Sequence, residues 1–80
     1  MKAKIYVTLK RGVLDPQGKA IHASLSHLGI AGVEDVRVGK FMELVLKGTE
    51  PEEARKRLDE ACRRLLANTV IEDYRIEIEG

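Results

Sequence analysis

The side chains that could attack, ligate or cradle a substrate are few in this 80-residue chain. Cys62 is its single thiol. A nucleophilic cysteine needs a base and an electropositive, accessible setting. Arg63 and Arg64 follow it directly and could lower its pKa, but no local residue completes a catalytic pair. Cys62 also borders the apolar stripe of a helix, so it reads as a packing residue. His22 and His27 are five positions apart, or ~140° around a helix, and cannot hold one metal from a shared face. With one cysteine and no His-x-x-x-His, a zinc site has no ligand set.

Gly12-Val-Leu-Asp-Pro-Gln-Gly-Lys-Ala20 has the outline of a phosphate loop. A Walker A loop places four residues between its glycines and ends in Lys then Ser or Thr. Five residues intervene here, and Ala20 lacks the hydroxyl that would hold magnesium. Asp15 would repel phosphate, and Pro16 has no N–H to donate. The segment reads as a capped strand-to-helix turn. The carboxylates either have basic partners four residues on or fall on outward strand positions. No acid pair stands out for general acid–base work. No catalytic, cofactor or metal residue is expected in the chain.

Charged residues make up 34% of the chain but nearly cancel, leaving a formal net charge of +1. Nucleic-acid binders show a basic excess because phosphate neutralisation drives their binding, so that class is disfavoured. The run Arg55-Lys56-Arg57 reads as a solvated helix face. A lone cysteine excludes an intrachain disulfide, and no 18-residue apolar run is present. Both fit a soluble cytoplasmic protein with no membrane partner. The length implies one domain, residues 1–80. It is small enough to gain from association.

The elements that would position these residues follow from periodicity. Ile5, Val7 and Leu9 alternate with Lys4, Tyr6, Thr8 and Lys10, a half-buried strand. Asp15-Pro16 is an N-cap followed by proline at the first helical position. Ile21, Leu25 and Leu28 form a stripe, and Gly29 supplies a stop. Gly18 weakens the first turn of this helix by up to ~1 kcal/mol relative to alanine, which suggests close packing or close approach of backbone. Val36, Val38, Met42, Leu44 and Leu46 share one parity. Gly39 there marks either a hairpin turn or a bend in one long strand. Thr49 and Glu52 form a capping box ahead of a stripe of Ala54, Leu58, Ala61 and Leu65. A last strand faces Tyr74, Ile76 and Ile78 inward.

The order strand, helix, strand or hairpin, helix, strand predicts an α+β two-layer sandwich. Two helices would lie on one face of a small, mostly antiparallel sheet, as in relatives of the ferredoxin-like fold. Its other face would carry Tyr6, Phe41 and Val45 among charges. These are the self-association candidates.

Three segments, taken together, resemble the PurS family, the small subunit of phosphoribosylformylglycinamidine (FGAM) synthase. They are Val7 to Ala20, Val36-Arg37-Val38-Gly39-Lys40, and Cys62 to Tyr74. The one visible departure is Thr69, where the family commonly has proline after Leu-Leu-Ala-Asn. The resemblance implies a non-catalytic assembly subunit in purine biosynthesis. It would form homodimers or higher homo-oligomers and bring a large synthetase subunit and a glutaminase subunit together. Ammonia from glutamine would then pass to formylglycinamide ribonucleotide. ATP and magnesium would be held by the synthetase, with no cofactor in this chain. The motif members expected to contact the large subunit are Lys10, Arg37 and Lys40 through charge, Gly12 and Gly39 through backbone, and Asn68 and Glu72 at the second helix-to-strand turn.

Two rivals use the same element order. An ACT-type small-molecule sensor would bind its ligand beside a glycine-bearing first turn, which Gly12 and Gly18 permit. An RNA-binding domain would want stacking aromatics on central strands, for which Tyr6 and Phe41 are thin support.

Overall fold

The computed structural model describes residues 1–79. Three strands and two helices follow one another as β1 (Lys2–Leu9), α1 (Pro16–His27), β2 (Gly39–Val45), α2 (Pro51–Ala61) and β3 (Glu72–Glu79). The sheet order is β2-β1-β3, and both pairings are antiparallel. Ile5 sits opposite Met42 on one side and Ile76 on the other, and Ala3 opposite Leu44 and Ile78. Period-2 alternation therefore sends Ala3, Ile5, Val7, Met42, Leu44, Tyr74, Ile76 and Ile78 to one face.

That inner face is covered by α2. Ala54, Leu58 and Cys62 are buried with Ala3, Ile5, Val7 and Ala67. The expected stripe of Ala61 and Leu65 does not hold at its end. After Ala61 the helix widens into one π turn, Cys62–Leu66, closed by the Ala67 N–H on the Cys62 carbonyl at 2.9 Å. The wider turn shifts the phase of the helix. It places Cys62 and Ala67 over the sheet and leaves Leu65 81% exposed. The Thr49–Glu52 box does not form either. Pro51 takes the first helical position and makes Glu50 the N-cap, without a side-chain bond.

Val36 and Val38 lie outside any strand, and Gly39 marks neither a hairpin turn nor a bend in one long strand. It is the first residue of a single strand, opposite Thr8. A Cβ there would lie 2.5 Å from the Val7 carbonyl oxygen, so glycine is required by close approach inside the sheet.

The α+β class and the antiparallel sheet follow expectation; the placement of α1 departs from it. Gly18 is the only buried residue of α1, and the helix has almost no contact with the strands or with α2. It starts at the sheet end where β1 stops and β2 begins, and it runs outward. The segment 30–38 returns beside it, held by His22 Nε2 donating to the Val33 carbonyl at 2.7 Å. Two bonds close the tip, Gly29 N–H to Ser26 and Ile30 N–H to Leu25, each 3.0 Å. They form the glycine-ended stop that the sequence suggested. The result is an arm beside a sheet, with extents of 50 × 26 × 14 Å and a radius of gyration of 16.0 Å. A compact domain of this length would have roughly 12 Å.

Candidate functional site

The motif residues gather where the arm meets the sheet. Asp15 anchors this end. Its carboxylate accepts the Gly18 N–H at 2.9 Å, capping α1, and the Val38 N–H at 2.9 Å, tying down the return segment. Those two N–H donors, Gly18 first, hold its carboxyl below the usual carboxylate range. Gly18 lies against the return segment so closely that a Cβ would meet the Val36 carbonyl oxygen at 2.2 Å. The space beside this glycine, which a ligand in an ACT-type sensor would use, is filled by the chain's own backbone.

Arg37 reaches from the return segment to the end of β1. Its guanidinium donates to the carbonyls of Leu9 and Lys10, the second at 3.1 Å. Lys10 Nζ pairs with Asp73 at 3.3 Å, and Lys40 Nζ lies 3.9 Å from Glu72. The other carboxylate oxygen of Glu72 accepts the Asn68 N–H at 2.7 Å. The Asn68 side chain accepts from Val70 N–H at 3.1 Å, and its carbonyl accepts from Ile71 and Glu72. Lys10, Arg37, Gly39, Lys40, Asn68 and Glu72 thus share one end of the molecule. Gly12 sits in the adjoining turn with a φ of 87°, a left-handed conformation that glycine adopts without cost. A cleft of about 280 Å³ opens here, lined in part by Asp15, Val38, Lys40 and Glu72.

Several of these side chains first of all build the chain itself. Asn68 and Glu72 fix the turn into β3, and Arg37 caps β1. The surface they leave is a mixed-charge platform. Lys40 is exposed there, and Arg37 is exposed while bonded only to backbone carbonyls. Neither the Asp73 pairing nor the second bond of Asp15 is marked in the sequence. Asp73 lies 63 positions from Lys10 and Val38 lies 23 from Asp15, and no local spacing signals either contact.

The self-association candidates lie on the other sheet face. Tyr6 and Phe41 are cross-strand neighbours with ring centroids 5.1 Å apart, and the Arg75 guanidinium covers Tyr6 at 4.1 Å. Val45 is paired with Lys2 at the far end of β2 and is 84% exposed. Between them run ion pairs, Lys2–Glu43 at 2.6 Å and Lys4–Glu79 at 2.8 Å. They lower the Glu43 pKa and raise that of Lys4. This face is a charge ladder with one aromatic pair, less apolar than its alternation suggests.

Cys62 is fully buried beneath α2. Burial pushes its thiol pKa up, and the nearby Asp59 carboxylate pushes it further. That is the opposite of what a nucleophile needs. Asp59 itself accepts the Tyr74 hydroxyl and pairs with Arg63 at 3.1 Å. Among the described residues no group of three His, Cys, Asp or Glu side chains could hold a metal ion. No helix there is long and apolar enough to cross a membrane.

The family model for PurS, phosphoribosylformylglycinamidine (FGAM) synthase, matches residues 2–80. The chain is 51% identical over 75 residues to the phosphoribosylformylglycinamidine synthase subunit PurS of Synechocystis, covering 94% of this chain and 75% of that one. Its fold superposes on the crystal structure of Bacillus subtilis PurS with a TM-score of 0.88, at 48% identity, covering 99% and 98% of the two chains. A chain of the PurLQS structure from Thermotoga maritima is similar at 32% identity, with a TM-score of 0.87 over 95% and 93%.

Proposed function

The chain belongs to the PurS family of FGAM synthase, and on that premise we propose that it is a non-catalytic assembly subunit of a split FGAM synthase in purine biosynthesis. It brings a synthetase subunit and a glutaminase subunit together in the cytoplasm, so that ammonia released from glutamine reaches formylglycinamide ribonucleotide in an ATP-dependent step. ATP and magnesium are held by the synthetase. The observation that carries this reading is the likeness, over nearly the whole of both chains, to a chain of the PurLQS structure.

The chemistry of the site supports it. The one thiol is sealed in the core with its pKa raised, so the glutaminase nucleophile must come from another chain. The platform at the arm end offers Arg37 and Lys40 as exposed cations on rigid backbone, with Lys10, Gly12, Gly39, Asn68 and Glu72 fixing its shape. It is the surface for the large subunit. Tyr6, Phe41 and Val45 contribute a contact between copies across the open sheet face.

Reconstitution tests the reading. The synthetase and glutaminase are expressed with and without this chain, and FGAM formation is followed with glutamine or with ammonium as nitrogen donor. Glutamine-dependent synthesis should require the chain, while ammonium-dependent synthesis should need it far less. Equal glutamine-dependent rates without it would overturn the proposal.

A further inference from the structure

β3 forms one edge of the sheet and is eight residues long. Its pairing with β1 decides which of its backbone groups are used. The Lys10 N–H bonds the Ile71 carbonyl at 2.8 Å, so residue 71 and every second residue after it turn toward β1. Glu72, Tyr74, Ile76 and Ile78 turn the other way. The Glu72 N–H is taken by the Asn68 carbonyl at 2.7 Å. The Ile76 carbonyl receives a long bond of 3.4 Å from the Arg55 guanidinium. Among the described residues, the N–H groups of Tyr74, Ile76 and Ile78 have no backbone partner. Such an edge is a template for another strand.

A cleft runs beside this edge. It holds about 570 Å³ between α2 and β3 and is lined by Glu52, Arg55, Lys56, Asp59, Tyr74 and Ile76. Its floor is the half-exposed Ile76 and the ring of Tyr74. Its mouth is charged. Asp59 is already engaged by the Tyr74 hydroxyl and by Arg63 at 3.1 Å. Arg55 and Lys56 are exposed, and among the described residues neither belongs to an ion pair. Of the lining carboxylates, only Glu52 is left to offset these two cations. The outward backbone groups recur every second residue, ~6.8 Å apart along an extended strand. Another extended backbone matches that spacing; a small ligand in the cleft does not.

We propose that the β3 edge receives an extended segment of the glutaminase subunit by strand addition. The backbone of that segment bonds Tyr74, Ile76 and Ile78. Its alternate side chains enter the cleft and are apolar, with one carboxylate among them placed toward Arg55 and Lys56. The others lie beside Arg75, Glu77 and Glu79 on the outer face and are polar. Arg55 gives up its long bond for the incoming carboxylate, which frees the Ile76 carbonyl for an incoming N–H. The choice of partner rests on the proposed function. A chain that joins two subunits needs two surfaces that do not overlap. The platform at the arm end, which takes the synthetase, reaches β3 only at Glu72 and Asp73. The cleft begins at Tyr74 and follows the strand away from the arm.

The test follows amide hydrogen exchange of residues 72–79 by mass spectrometry. Three samples are compared: the isolated chain, the chain with synthetase, and the chain with synthetase and glutaminase. Size exclusion of the same samples reports whether a complex has formed. The amides of Tyr74, Ile76 and Ile78 should exchange freely in the first two and become protected in the third. Two variants give a second readout in a pull-down. Ile78→Pro removes an outward N–H and spares the ladder to β1, while Ile78→Ala matches its loss of packing. The proline variant should capture glutaminase roughly tenfold more weakly than the alanine variant. Lys56→Glu should lower capture by a similar factor and leave synthetase binding unchanged. A three-subunit complex with β3 unprotected would overturn the inference and leave the proposed function standing, as would equal capture by the Ile78 variants. Protection with synthetase alone would overturn it by giving the edge to that subunit. Protection in the isolated chain that grows with concentration would give the edge to a second copy, with the same result. Failure of the three chains to associate would instead overturn the proposed function, and the choice of partner with it.

Discussion

Gly18 lies within α1, where replacing glycine by alanine ordinarily stabilises a helix by about 0.5–1 kcal/mol. The structure predicts the opposite sign. An alanine Cβ at position 18 would sit 2.2 Å from the Val36 carbonyl oxygen and 2.7 Å from the Asp15 carboxylate. Ordinary contact begins at 3.4 Å, so the return segment must retreat by about 1.2 Å. The obstacle is backbone, and backbone held by the Val38 N–H bond to Asp15. Overpacking of this kind costs about 1–3 kcal/mol. Setting the propensity gain against the upper part of that range leaves a net loss of roughly 1–2 kcal/mol. Urea unfolding followed by circular dichroism, at one fixed protein concentration, should show the midpoint of Gly18→Ala below that of the parent. Thermal unfolding should fall by roughly 4–8 °C for each kcal/mol lost. Ala23→Gly, at an exposed position of the same helix, supplies the control. It should cost about 0.5–1 kcal/mol in the ordinary sense. Both directions of the swap should therefore destabilise. A Gly18→Ala protein as stable as the parent, or more so, would refute the account of the joint between arm and sheet.

Asp15 gives a pH signature. Its folded pKa lies below the unfolded carboxylate value of about 3.9. Its contribution is therefore complete above that value and is lost as pH falls through the lower, folded one. The urea-midpoint gap between parent and Asp15→Asn should be constant from neutral pH to about pH 5 and shrink below about pH 4; a gap that widens in acid would contradict this. Cys62 should resist a thiol reagent until the chain is unfolded. Cys62→Ser should destabilise by about 1–3 kcal/mol by burying a hydroxyl. Cys62→Ala in the reconstituted complex should keep the parent kcat with glutamine, and a large loss there would restore a chemical role to the thiol. Arg37→Ala should keep its far-ultraviolet dichroism yet recover less synthetase in a pull-down with both partners. Unchanged recovery would remove Arg37 from the contact surface.

Much of this fold was legible because its signals are local. Alternation in β1 and β3, the Asp15-Pro16 start of α1 and its Gly29 stop are each written within a few residues. Local signals mislead where two of them compete or where a distant partner decides. Pro51 overrode the Thr49–Glu52 box by claiming the first helical position. The π turn displaced Leu65, since a 3.6-residue period cannot anticipate a change of period. The stripe of Ile21, Leu25 and Leu28 said that α1 must bury a face, and nothing in its spacing said against what. The cluster at the arm end was found through motif resemblance rather than chemistry. Its ion pairs join residues 32 and 63 positions apart, and side chains that meet across a sheet carry no periodic mark.

The sheet order has a consequence for how the chain reaches this structure. β1 comes first among the elements and lies in the centre, and it is flanked by β2 and by β3, the last element. Ala3 meets Leu44 at a separation of 41 residues and Ile78 at 75. Closing the longer loop rather than the shorter costs only about 0.5 kcal/mol more in chain entropy, so the order of pairing is barely written in the final free energy. It is written in time. Pairings this distant in sequence form slowly. Translated before both of its partners, β1 keeps one whole edge open until β3 arrives, and half of its ladder waits on residues such as Ile78, 75 positions beyond Ala3.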